Sequence, residues 1–143
     1  MKTQLITDFP SDFLILETES KIEGFKFLEK MRLEWDSEKN RFNKVGEALY
    51  GVFEGDKLVA IGGINLDPYA NGDSIGRVRH LYVLKAYRKH GLGTALVKKI
   101  LEHCSKRFSK VRLRTDTIAA SKFYEKFGFK AVSDDSASHQ WIY

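Results

Sequence analysis

The run Leu81-Tyr82-Val83-Leu84-Lys85-Ala86-Tyr87-Arg88-Lys89-His90-Gly91-Leu92-Gly93-Thr94-Ala95 constrains this chain more than any other segment. An apolar strand pattern gives way to a basic turn with two closely spaced glycines, and then to the start of an amphipathic helix. The first amides of a helix have no carbonyl partner within it, and the helix dipole adds positive potential at the same spot. Gly91 and Gly93 carry no side chain to hold an anion away, and glycine permits the φ angles that let successive amides converge on it. Arg88, Lys89 and His90 add side-chain donors. The segment reads as a cradle for pyrophosphate, although glycines at a strand-to-helix turn also serve purely steric ends.

The surrounding pattern is that of a mixed α/β domain. After the turn, Leu92, Leu96, Ile100 and Cys104 recur every four residues, with Val97, Leu101 and Phe108 alongside and lysines on the other face, so a helix packed on a sheet is expected. Tyr50 to Glu54 and Lys57 to Leu66 form strands about Gly55-Asp56, and the turn-rich stretch Asp67 to Asp73 leads into a strand from about Ser74 to Leu84. Lys110 to Thr115 is expected as a strand with Val111 and Leu113 inward and Arg112 and Arg114 outward. A short helix over Ala119 to Phe127, closed by Gly128, precedes a last strand around His139 to Tyr143. Toward the N-terminus, Phe13 to Thr18 reads as a strand, Ile22 to about Trp35 as a helix, and Asp36 to Val45 as a second short helix. The expected order is β-α-α-β-β-β-α-β-α-β in one domain over residues 1–143, with 1–12 as a candidate N-terminal extension.

The 143 residues suffice for one core, and no apolar run approaches the roughly twenty residues that span a bilayer. With no apolar leader pattern at the N-terminus, the expected location is cytoplasmic, away from the membrane. Cys104 is the only cysteine, so no internal disulfide and no thiolate metal cluster can form within the chain; no metal site is expected. The net charge of +5 is segregated: Arg77 to Arg114 holds twelve Lys and Arg against the single acid Glu102, which is +11 there and −6 elsewhere. Such a strip attracts a multiply charged small anion or a nucleic-acid backbone, and a solvated helix face accounts for Lys98, Lys99, Lys106 and Arg107.

Arg88-x-x-Gly91-x-Gly93 after a strand resembles the acyl-CoA signature of the GNAT N-acetyltransferase superfamily. Ala120-Ser121-Lys122-Phe123-Tyr124-Glu125-Lys126-Phe127-Gly128-Phe129 is similar to that family's closing element, and together the two motifs cover roughly the C-terminal half. The resemblance implies a mixed, mostly antiparallel sheet with a splayed central strand pair, and acetyl-CoA as cosubstrate. It implies main-chain hydrogen bonds from Leu81, Tyr82 and Val83 to pantetheine, and the pyrophosphate held by Arg88, Lys89, His90, Gly91, Leu92, Gly93 and Thr94. It also implies direct attack of a primary amine on the acetyl thioester, with Tyr124 as the general acid for the leaving thiolate. Phenol and thiol pKa values lie within about two units of each other, which suits that transfer.

Two departures stand out. The glutamate that some relatives carry early in the strand is absent from Arg77-Val78-Arg79-His80, which leaves His80, His139, Glu47, Asp67 and Asp73 as candidate bases. Thr117 stands where an asparagine is often found, and its hydroxyl offers pantetheine less than an amide would. The acceptor-determining segment, roughly Ser20 to Glu47, contains Glu23, Glu29, Glu34, Asp36, Glu38 and Glu47; an acidic wall would favour a cationic amine or a basic peptide end, with helix-surface charge as the plainer account. The expected function is acetyl transfer to a small-molecule amine or peptide. The alternatives are a non-catalytic CoA- or nucleic-acid-binding module, with nucleic acid the less favoured partner, or an acyltransferase acting on a protein or charged tRNA. An exposed C-terminal edge strand would offer a route to a homodimer, unless Trp141 and Tyr143 belong to the core.

Overall fold

The computed structural model describes residues 1–143. A single seven-stranded sheet runs β1 (Lys2–Leu5), β2 (Ala48–Glu54), β3 (Lys57–Leu66), β4 (Ile75–Val83), β5 (Lys110–Leu113), then β7 (His139–Ile142) and β6 (Lys130–Ala131). Every neighbouring pair is antiparallel except β4 and β5. Four helices cover it: α1 (Phe13–Ile22), α2 (Phe27–Asp36), α3 (Leu92–Cys104) and α4 (Ile118–Phe127). No helix is long and apolar enough to cross a membrane.

The α3 helix forms as its spacing predicts: Leu92, Leu96, Val97, Ile100, Leu101 and Cys104 are buried and the lysines are outside. Each fully buried aliphatic side chain contributes about 1.5–3 kcal/mol, which fastens α3 across the strands before the turn. The hairpin about Gly55-Asp56 also forms, pairing Glu54 with Lys57.

The N-terminal third differs from expectation. Residues 13–18 are helical: Phe13, Leu16, Glu17 and Ser20 are the buried positions, a helical period that the apolar cluster Phe13-Leu14-Ile15-Leu16 disguises as a strand. The expected helix from Ile22 is interrupted at Gly24, whose φ of +93° breaks the chain between α1 and α2. Residues 37–47 contain no helix; Phe42 leaves the surface there and is buried in the core. Residues 2–5, within the candidate extension, are the edge strand β1 on β2.

Two further expectations change. Arg112 faces inward, since Asp67 arrives from the β3–β4 loop to meet it at 3.5 Å. At the C-terminus the edge belongs to the two-residue β6, absent from the expected order, and β7 lies between β5 and β6. The outer edge of β7 is covered by β6 at His139 and Gln140, and Trp141 packs against Phe127 and Phe129.

Candidate functional site

The β4 and β5 strands pair only through Ile75↔Lys110, Gly76↔Val111 and Arg77↔Arg112. Beyond that point each keeps its other partner: β4 follows β3 as far as Ala60↔Val83, whereas β5 follows β7 to Leu113↔His139. The two strands therefore part, and the edge of β4 from Val78 to Val83 has no strand beside it. Below the split the last pair is clamped. Arg77 and Arg112 lie 3.6 and 3.5 Å from the fully buried Asp67 carboxylate, and Arg77 donates to the Ser136 carbonyl at 2.6 Å.

A bulge reshapes β4 where the gap opens. Ile61↔Tyr82 and Gly63↔Arg79 set three steps of β4 against two of β3, and His80 takes a φ of +62°. The resulting cleft encloses about 830 Å³, with β4 on one side, Arg114 to Thr117 and α4 on the other, the turn before α3 at one end, and Phe25, Phe27 and Lys30 at the other.

The turn end is made of backbone. Arg88 N donates to Lys85 O at 3.3 Å and Ala95 N to Gly91 O at 3.0 Å, while the six amides from Lys89 to Thr94 have no partner within the chain. Lys89 and Gly91 both adopt positive φ, +68° and +78°, and so bend the chain around His90. Gly91 faces open space, so its requirement is conformational. Gly93 answers a close approach: a Cβ there would lie 3.2 Å from the Phe123 ring of α4.

The expected site residues separate into groups. Leu81, Tyr82, Val83, Arg88, Lys89, Gly91, Leu92, Gly93, Thr94, Thr117 and Tyr124 all line the cleft, and His90 is exposed on the adjacent turn. Arg88 is engaged differently from expectation. Its guanidinium forms a two-pronged pair with Glu23 and donates to Val83 O at 3.0 Å, so Lys89 is the cation left exposed at the turn, with the His90 ring exposed beside it. Arg88 and then Tyr82, by hydrogen bonding, hold the Glu23 carboxyl down at about 2. Tyr82 also bonds Glu19 at 2.7 Å; burial and these carboxylates push its phenol up. This network ties the end of α1 to the strand and the turn. Thr117 caps α4, accepting from Ala120 N at 3.2 Å, so its hydroxyl oxygen is already engaged.

Tyr124 is buried against Phe123 and Phe129, with ring centroids at 5.1 and 5.4 Å, and its hydroxyl makes no hydrogen bond within the chain. Burial pushes the phenol above the ordinary tyrosine range, so it stays protonated near neutral pH. Among the candidate bases only His80 lines the cleft. His139 bonds Glu125 and Ser138, Glu47 bonds Asn65 and Leu66 N, Asp67 sits between its two arginines, and Asp73 pairs with Arg107. His80 is buried between Phe27 and Phe42 with both ring nitrogens unpartnered. Burial first, then the charges of Arg79 and Lys30, push its imidazole down to about 3.

The acidic wall is absent. Glu29, Asp36 and Glu38 lie beside Lys21, Arg32 and Arg41, Glu34 lies near Lys30 and Lys39, and none of the six acids named from Ser20 to Glu47 lines the cleft. In their place are Phe25, Phe27, Lys30 and Tyr69, which sequence reasoning missed because no motif links these positions to β4.

A family description, "Acetyltransferase (GNAT) domain", matches residues 15–142. The chain belongs to the GNAT acetyltransferase family. A relative, mycothiol acetyltransferase of Saccharomonospora viridis, is 33% identical over 95 residues; the match spans 62% of this chain and 30% of that protein. Among solved structures, one described as an acetyltransferase from Exiguobacterium sp. 255-15 superposes with a TM-score of 0.87 at 30% identity, covering 99% of this chain and 92% of that one. A GNAT-family acetyltransferase from Staphylococcus aureus Mu50 shares the fold at a TM-score of 0.72 and 16% identity, covering 97% and 96%.

Proposed function

We propose that this chain is an acetyl-CoA-dependent N-acetyltransferase that brings a primary amine and acetyl-CoA together in the cleft for direct transfer. The observation that carries the reading is the run of six unpartnered amides, Lys89 to Thr94, at the head of α3 where the split between β4 and β5 ends. Backbone donors in that number, with a helix dipole behind them, suit a pyrophosphate. The unpaired edge of β4 through Leu81 and Tyr82 suits an extended arm carrying amides of its own. Bound there, acetyl-CoA supplies the activated acyl thioester.

The chain's own groups divide the remaining work. Lys89 adds positive charge at the turn and His90 a ring N–H donor, while Arg88, held on Glu23 and on Val83 O, fixes the shape of the turn. Thr117 fixes the start of α4 and so the placement of Tyr124. The Tyr124 hydroxyl, unpartnered and protonated, gives its proton to the departing sulfur; the dry surroundings that raise the phenol raise a thiol as well, so the two remain matched. His80 lines the cleft uncharged near neutral pH, so it adds no positive charge of its own beside an incoming amine.

Release of free thiol from acetyl-CoA in the presence of an amine panel tests the reading. Tyr124→Phe should lower kcat by about a hundredfold or more while acetyl-CoA affinity is retained. Full activity in Tyr124→Phe would remove the phenol from the chemistry.

A further inference from the structure

The end of the cleft away from the turn is aromatic and positively charged. Along the lining, Lys30, Arg77, Arg79, Arg88, Lys89 and Arg114 face a single acid, Asp116. Several of these cations are answered elsewhere: Arg88 by Glu23, Arg77 by Asp67 at 3.6 Å, and Arg114 by Asp116 at 3.7 Å. Arg79 is not. It is half-buried on β4 beside the bulge, and its guanidinium has neither an ion pair nor a hydrogen bond to any group of the chain. Lys30 approaches only Glu34, at 3.9 Å, and is otherwise exposed.

Two more features lie at the same place. His80 is buried there with both ring nitrogens unpartnered. Phe27 lies against His80 and Tyr82 with centroids at 6.3 Å, and Phe25 packs on Phe27 at 5.7 Å, giving an apolar wall next to the unpaired cation. An unpaired guanidinium in a partly dry cleft is costly unless an anion joins it, and guanidinium geometry suits a carboxylate or a phosphate.

Resting on the acetyltransferase reading above, we propose that the acceptor is a small primary amine that also bears an anionic group, a carboxylate or a phosphate, held by Arg79 with Lys30 beside it and its carbon body against Phe25 and Phe27. The same charges act on the reacting nitrogen. A cationic surround disfavours the ammonium form, so the amine is held in the state that can attack, and its proton leaves to solvent, since His80 is held uncharged and does not take it. Polyamines and lysine-rich peptide tails, which bring extra positive charge, are repelled from this end.

The test uses matched amines with the full chain, after acetyl-CoA binding has been measured on its own. Phenylalanine against phenylalaninamide reads the carboxylate, O-phosphoethanolamine against ethanolamine reads the phosphate, and spermidine reads added positive charge. In at least one pair the anionic member should have kcat/KM higher by about tenfold or more, spermidine should be poorest, and Arg79→Gln should collapse that preference through KM with acetyl-CoA affinity retained. Lys30→Gln, at an exposed position, should weaken the same preference by a smaller factor and guards against misfolding of the Arg79 variant. Where no member turns over, the same pairs titrated into CoA-saturated protein read the preference as affinity. Normal acetyl-CoA binding with no preference for the anionic member of either pair, or a preference that survives Arg79→Gln, overturns the inference alone. Failure to bind acetyl-CoA overturns the parent reading instead.

Discussion

The two ends of the cleft are built from different materials. At the turn, the groups on offer are unpartnered main-chain amides of consecutive residues, Lys89 to Thr94, presented by the start of one helix. At the other end the lining is made of side chains from separate places: Phe25, Phe27 and Lys30 from around the start of α2, Tyr69 from a loop, Arg79 and His80 from a bulged strand, and Arg114 beyond β5. A backbone cradle depends on conformation and close approach, so two glycines and a helix start define it. A side-chain end can change chemistry by point substitution without disturbing the fold. The contrast suits an enzyme that keeps one donor and adapts to its acceptor.

Substitutions can break this contrast. The largest effect is expected from Gly93→Leu. Its side chain must enter space where Phe123 already stands 3.2 Å from the Cβ position, so α4 should be displaced from the turn. Acetyl-CoA affinity should fall by about tenfold or more and unfolding should become easier by about 1–3 kcal/mol, as read by calorimetry and denaturant titration. A mild loss would mean that the turn tolerates side chains and that backbone approach is not its design.

At the opposite end, His80 predicts a pH signature. Its folded pKa, about 3, lies below the ordinary 6.5, so between these values the unfolded chain takes a proton that the folded chain refuses. The stability tied to this group is therefore complete above about pH 6.5 and declines as pH falls toward 3, by up to about 1.4 kcal/mol per pH unit. His80→Asn tolerates the left-handed backbone and should flatten that part of the stability profile. An unchanged slope would place the titration elsewhere.

A smaller effect is expected between the two ends, at Glu23. Its folded pKa of about 2 lies below the ordinary 4.5, so its contribution is present above about pH 4.5 and lost as pH falls through 2. Solvent reaches both partners of the Glu23–Arg88 pair, so Glu23→Gln should cost only about 1 kcal/mol at neutral pH, visible as a modest fall in Tm. Acetyl-CoA affinity should change by a small factor, because Arg88 then loses its anchor and becomes free to turn toward a phosphate. Tighter cofactor binding would mean that Glu23 restrains the turn.

The difference between the ends also explains what the sequence disclosed. Arg88, Gly91, Gly93 and Tyr124 lie within short runs whose local conformation is itself the message. Arg79 and Lys30 carry no such local mark; they come to line one cleft only because α2 packs beside β4. The glutamates of 23–47 looked like an acceptor wall because their partners, among them Lys21 and Arg88, could not be assigned before folding. Arg112 alternates as an outward residue should, and only the arrival of Asp67 makes its inward placement stable. Strand β1 has four residues and is not fully covered, leaving little pattern to read, and α1 conceals its helical period behind four adjacent apolar residues.

The most direct test of the central claim is a calorimetric titration of acetyl-CoA into the unaltered chain and into Thr94→Glu. Thr94 is exposed in the first turn of α3, where a carboxylate favours the helix and does not weaken the fold, yet it sets negative charge beside the unpartnered amides. The account predicts saturable binding by the unaltered chain and an affinity lower by about tenfold or more in the variant, with Tm unchanged or raised. Equal affinity in both proteins, or no binding by the unaltered chain at high micromolar acetyl-CoA, would contradict it.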